Sequence, residues 1–197
     1  ENLVNHVKEI SNVKGIRGLL VNGHAGENFT LSVNEQIQIL KIIKESIKKE
    51  SLIISGVNFE DPQEAARVAN EMLISGANAI LIFPPFSWSQ GINTKMVYEH
   101  HKIISEAIQG PIFIYQSSVN SGYLSYKKET LRELTKLKNI IGIKEGSWNT
   151  ESYIENHKYL KKINSNFLVM ASGDEHIYPC FKYASDGSQV SLAAIVP

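Results

Sequence analysis

The sequence predicts an α/β fold of the (β/α)8 TIM-barrel class, on three observations. Short β-rich apolar runs alternate with longer segments of helical period along the whole chain. Seven such runs recur at roughly 25–30-residue spacing, as units of strand plus crossover helix require. The connections that follow the runs are Gly-rich or polar (NGHAGENF, SGVNFED, PPFSWSQG, QSSVNSG, KEGSWN, SGDEH), whereas those that precede them, such as SGAN and LKN, are plain helix stops.

Taken in order, a partial helix over Asn2–Ile10 opens the chain, and the first strand follows at Arg17–Asn22. Ser32 with Glu35 forms a capping box that starts a helix over Ser32–Lys49. Strand Leu52–Gly56 leads to Asp61-Pro62, an N-cap with proline at the first helical position, and a helix over Pro62–Ser75. Strand Ala79–Phe83 precedes helix Thr94–Ile108, and strand Ile112–Gln116 precedes helix Lys127–Leu137. Strand Ile140–Lys144 is followed by helix Thr150–Ile163, strand Phe167–Ala171 by helix Glu175–Ala184, and a seventh strand is expected at Gln189–Leu192. No linker, low-complexity tract or charge block divides residues 1–197, so a single domain is expected. A closed barrel needs eight strands and about 250 residues. The first strand and the last helix are therefore expected to lie outside this sequence, as in a piece of a longer barrel protein.

Composition narrows the function. With 43% apolar residues the chain has material for a sizeable core. Twenty Lys plus Arg against twenty Asp plus Glu give a net charge of +0, which offers no basic field to nucleic acid or an anionic membrane. The expected partners are small molecules and copies of the chain itself. The single cysteine, Cys180, excludes an internal disulfide framework and fits a reducing, cytoplasmic setting. There is no apolar span of about 20 residues and no signal peptide. Neither Gly-x-Gly-x-x-Gly nor a phosphate-loop lysine motif occurs, so no cofactor is expected.

Lys144, in IIGIKEG, is the residue on which function turns. It closes an apolar strand where barrel enzymes put their chemistry. An amine there attacks a carbonyl only when neutral, and burial among apolar walls lowers a lysine's pKa by up to ~3 units. Tyr115 ends the preceding strand, and alternation along neighbouring strands points it to the same mouth, where its hydroxyl would move protons. The turn Gly23-His24-Ala25-Gly26-Glu27 offers backbone N–H groups near a helix start, suited to a carboxylate. An amine, a phenol and an anion cradle together describe a site for a 2-oxo acid. Asp174-Glu175-His176 reads as a helix start with Asp174 as N-cap, and no metal site is expected. His100-His101 reads as one surface and one core residue, and Trp88 and Trp148 as packing or pocket walls.

GLLVNGHAGENFTLS, PIFIYQSSVNSG, NIIGIKEGSWN and SGDEHIYP resemble, in order and spacing, the dihydrodipicolinate synthase and N-acetylneuraminate lyase family. The resemblance covers nearly the whole chain. It implies a (β/α)8 barrel, usually a homotetramer, in which Lys144 forms a Schiff base with pyruvate or a related 2-oxo acid and Tyr115 shuttles protons. It also implies that a first strand and a C-terminal helical region are missing here. Three positions depart from the pattern. The family's Gly-Thr-Thr-Gly-Glu turn has become Gly23-His24-Ala25-Gly26-Glu27, with both hydroxyls lost. Pro-Tyr-Tyr has become Pro85-Phe86-Ser87, which removes the usual tyrosine relay. The arginine five positions after the tyrosine has become Asn120, an amide in place of a guanidinium fork.

The sequence thus predicts a Schiff-base lyase or aldolase acting on a 2-oxo acid and an aldehyde, with an aldehyde other than aspartate semialdehyde. Lys144 and Tyr115 are its catalytic residues. Gly23, His24, Ala25, Gly26, Asn120 and the backbone near Val190 bind substrate. The alternatives are a dehydratase of a sugar-derived 2-oxo acid that uses the same lysine, and a catalytically weak paralogue that binds a metabolite. A dimer or tetramer is expected.

Overall fold

The computed structural model describes all residues, 1–197. Seven parallel strands pair strictly in sequence order: β1 (Gly18–Val21), β2 (Leu52–Val57), β3 (Ala79–Ile82), β4 (Ile112–Gln116), β5 (Ile140–Glu145), β6 (Leu168–Ala171) and β7 (Gly187–Ser188). Helices α1 (Asn2–Asn12), α2 (Val33–Ser46), α3 (Pro62–Ile74), α4 (Thr94–Ala107), α5 (Lys128–Leu134), α6 (Thr150–Ile163) and α7 (Ile177–Lys182) precede or connect them. Sequential order with one crossover per strand is the barrel arrangement. The sheet is open, since β1 and β7 do not pair with each other. No helix is long and apolar enough to cross a membrane.

Two apolar layers explain why the strand runs are continuous rather than alternating. Ile53, Ile80, Ile82, Ile112, Ile114, Ile143 and Val169 pack outward with the helices in one cluster. Ala79, Leu81, Phe83 and Phe113 form a second, smaller cluster on the inner face. Local signals set the helix starts as their chemistry requires. Ser32 Oγ accepts from the Glu35 N–H while Glu35 Oε2 accepts from the Ser32 N–H at 2.8 Å, and Asp61 Oδ1 accepts from the Glu64 N–H at 2.8 Å.

Three expectations are corrected. The seventh strand is not at Gln189–Leu192 but at Gly187–Ser188, paired with Met170 and Ala171. Carboxylates decide this. Asp186 accepts from the Val169 N–H at 2.7 Å and draws the chain onto β6 early, while Asp174 accepts from the Leu192 N–H at 2.8 Å and curls Leu192–Ala194 into a 3-10 turn. The same contact removes Asp174 from the N-cap role. Gly173 occupies that position, and the expected helix over Glu175–Ala184 becomes a 3-10 turn, Asp174–His176, followed by the short α7. His100 and His101 are both buried, 6% and 1% exposed, rather than one at the surface. Trp88 covers His100 edge-on at 5.1 Å, and burial holds the two imidazoles neutral, down to about 4 and about 3.

Candidate active site

Strand register builds the site. Tyr115 on β4 and Lys144 on β5 are direct partners, one rung before Gln116 and Glu145. Alternation turns each rung to the opposite face of the sheet. Tyr115 and Lys144 face inward, and Lys144 Nζ lies 5.5 Å from the Tyr115 ring centroid and 6.0 Å from that of Phe83. Gly146 makes room for the Tyr115 ring. A Cβ there would stand 2.6 Å from the Gln116 carbonyl oxygen and 2.9 Å from the Tyr115 ring. The two residues therefore occupy the shared mouth that the sequence pattern predicts.

The electrostatics suit an amine nucleophile. Lys144 has no carboxylate within ion-pair distance. Burial lowers its pKa to about 8, against a smaller opposing pull from the charge of Asp174. About a tenth of the amine is then neutral at pH 7, against about four parts in ten thousand for a free lysine. Burial raises the Tyr115 phenol, with a further push from Glu145, so it stays protonated and ready to donate.

His24 stacks on Phe83 with ring centroids 3.8 Å apart and meets Tyr115 edge-on at 5.9 Å. Its Nε2 accepts from Asn58 Nδ2 at 3.0 Å, which assigns the ring proton to Nδ1. Burial, then the neighbouring Lys144 charge, hold its pKa down to about 4, so the imidazole is neutral at pH 7. Within the turn, the N–H groups of Gly26, Glu27 and Asn28 bond back to Gly23 and His24, while those of His24 and Ala25 have no backbone acceptor and remain for a ligand.

Lys144, Tyr115, His24, Ala25 and Trp148 line one cleft of about 140 Å³, with Asp174, Gln189, Val190 and Ser191 along its other side. That volume suits a small acid and lies below the ~300 Å³ at which sites for larger ligands begin. The structure brings Lys144, Tyr115, His24, Ala25 and Val190 together. Gly23 and Gly26 shape the turn without lining the cleft, and Asn120 is exposed, its N–H on Ser118 Oγ, outside the cleft. Ser87 is bound through its N–H and hydroxyl to Glu60. Among Cys, His, Asp and Glu side chains there is no group of three or more arranged to hold a metal ion. Trp148, expected as packing or a pocket wall, lines the cleft, and so do Ser172, Gly173, Asp174, Gln189 and Ser191, which the sequence pattern does not assign to the site. Trp148 is 46% exposed and has φ of 55°, a left-handed conformation rare for a bulky residue. Gln189 is 7% exposed. Face parity on the last strand is the signal for Gln189, obscured by the misplaced strand end.

The Dihydrodipicolinate synthetase family model matches residues 2–197. The 4-hydroxy-tetrahydrodipicolinate synthase of Listeria welshimeri is 30% identical over 98% of this chain and 63% of its own length, and that of Acetivibrio thermocellus is 27% identical over 100% and 66%. The chain thus spans about two thirds or less of the curated relatives it matches. Among solved structures, dihydrodipicolinate synthase from Acinetobacter baumannii, complexed with pyruvate, superposes with a TM-score of 0.87 at 24% identity, covering 100% of this chain and 65% of that one. CdNal from Clostridium difficile, in complex with mannosamine, gives 0.85 at 24% identity, covering 98% and 64%. These likenesses establish the barrel-type fold.

Proposed function

The chain belongs to the dihydrodipicolinate synthetase family, and from that premise we propose that it is a class I aldolase or lyase forming a Schiff base between Lys144 and pyruvate or another 2-oxo acid. The observation that carries the reading is the Lys144 amine, desolvated, free of any ion pair and in register with a protonated phenol at the floor of a small cleft. In the cleavage direction the neutral amine attacks the C2 carbonyl carbon, one amine proton passes to the oxygen, and Tyr115 supplies the second proton with which that oxygen leaves as water. The iminium withdraws the electron pair of the C3–C4 bond as Tyr115 takes the proton of the C4 hydroxyl. An aldehyde departs, the remaining enamine takes at C3 the proton that Tyr115 now holds, and water hydrolyses the resulting iminium to free Lys144 and return a proton to Tyr115. The His24 and Ala25 N–H groups and the His24 Nδ1–H supply donors for the carboxylate.

The capture of Ser87 by Glu60 and the position of Asn120 outside the cleft support a partner aldehyde other than aspartate semialdehyde. Phe29 and Phe86, exposed and edge to face at 6.0 Å, offer apolar surface for self-association into a dimer or tetramer. Borohydride reduction in the presence of pyruvate tests the reading. An N-(1-carboxyethyl) group is expected on Lys144. Absence of an adduct, or one that persists in Lys144→Ala, would contradict the proposal.

A further inference from the structure

Gln189 is the one side chain whose two polar atoms are both themselves buried and without a partner. Asn22 and Asn28 leave a buried Oδ1 open, whereas two other buried amides are engaged. Gln116 Nε2 donates to Ser125 Oγ at 2.8 Å and its Oε1 accepts from the Tyr126 N–H, and Asn156 Nδ2 donates to Glu145 Oε1 at 2.9 Å. A buried donor and acceptor both left open is rare in folded proteins, and such a group calls for a bound partner. Gln189 lines the cleft that holds Lys144. Register agrees. Lys144 pairs with Met170, and Met170 with Gly187, so Gln189, two residues on, shares the inward face. Its backbone N–H is fixed on the Ala171 carbonyl oxygen at 2.9 Å, which holds the side chain there. Its polar neighbours are already satisfied, since Asp174 Oδ2 accepts from Ser191 Oγ at 2.9 Å and Oδ1 from the Leu192 N–H.

We infer that Gln189 is a specificity-determining residue that reads a hydroxyl on the carbon chain of the 2-oxo acid, beyond its ketone. A hydroxyl both donates to the amide oxygen and accepts from the amide NH2. A carboxylate offers acceptors alone, and an alkyl group offers neither. Because Gln189 and Lys144 line one cleft of about 140 Å³, the inference concerns the first two carbons past the ketone. The inference rests on the Schiff-base reading for the placement of the ketone at Lys144. It goes further in naming the substituent the site selects and the residue that selects it.

Two matched pairs of 2-oxo acids test it. 3-Hydroxypyruvate and 2-oxobutyrate differ by hydroxyl against methyl at C3, and 4-hydroxy-2-oxobutyrate and 2-oxopentanoate differ likewise at C4. The readouts are the concentration giving half-maximal cyanoborohydride trapping at Lys144, and binding by calorimetry. In the wild type at least one hydroxylated acid is expected to be favoured over its partner by ~10-fold or more, and in Gln189→Leu by no more than ~2-fold. Gln189→Met serves where the leucine variant fails to fold, which melting temperature reports. Equal preference in wild type and variant, or no preference within either pair, overturns the inference. If no acid forms an adduct, the Schiff-base reading fails separately, and the calorimetric ratios still decide the role of Gln189.

Discussion

Two adjacent rungs of one strand pair lead opposite lives. Gln116 and Glu145 face outward, where every polar atom is answered: Glu145, 1% exposed, accepts from Asn156 Nδ2 at 2.9 Å and from Ser147 Oγ at 2.8 Å, and Gln116 is held by Ser125 and Tyr126. Tyr115 and Lys144, one residue earlier on each strand, face inward with no ion pair, beside the open amide of Gln189. Burial alone raises the Glu145 carboxyl and lowers the Lys144 ammonium. On the outer face hydrogen bonds oppose that shift, and on the inner face only the more distant Asp174 does. The contrast separates polar groups that the fold satisfies from polar groups it leaves for a ligand.

The comparison can be broken at either rung, and the inner rung carries the larger effects. Lys144→Ala should lower turnover by ~10⁴-fold or more in steady-state assays of 2-oxo acid cleavage, because a nucleophile has no substitute. Retained activity would move the chemistry elsewhere. Tyr115→Phe should slow turnover by ~100-fold while pyruvate still forms the reduced adduct, since proton transfer is impaired and the amine is not. An unchanged rate would remove Tyr115 from the mechanism.

The outer rung is expected to respond in stability. Asn156→Leu strips a donor from the buried Glu145 carboxylate and should cost about 2–3 kcal/mol in urea unfolding. Lys144→Met should act with the opposite sign and stabilise by about 1–2 kcal/mol at pH 7, after allowance for partial solvent screening, because it removes a buried charge without an ion-pair partner. The lysine's folded pKa, about 8, lies below its unfolded value. The penalty is therefore fully present below pH 8 and fades as pH rises toward the unfolded value, so the gain should shrink above pH 8. Two losses of similar size would erase the distinction between the rungs.

How far the sequence reveals this depends on the range of the forces involved. Strands β1–β6 and the Tyr115–Lys144 rung follow from local apolar runs and from alternation, which act within one or two elements. The end of β7 was not legible, because it is set by Asp174 and Asp186, whose carboxylates seize backbone N–H groups 17 or 18 residues away in sequence. Gln189, read as an ordinary strand residue, therefore went unnoticed, as did the shared burial of His100 and His101 beneath Trp88, which depends on how helix α4 meets the 3-10 turn Phe86–Gln90. The chemistry of His24 was half legible. Its place in the Gly23–Glu27 turn is local, but its tautomer follows from Asn58 on another loop.

Competitive acetylation of the lysines between pH 6 and 10, read residue by residue by mass spectrometry with and without pyruvate, addresses the Lys144 amine most directly. Lys144 is expected to gain reactivity about tenfold per pH unit up to an inflection near 8 and then level off. Pyruvate should protect Lys144 alone. A Lys144 whose reactivity shows no inflection near 8 and gains no protection from pyruvate would contradict the account.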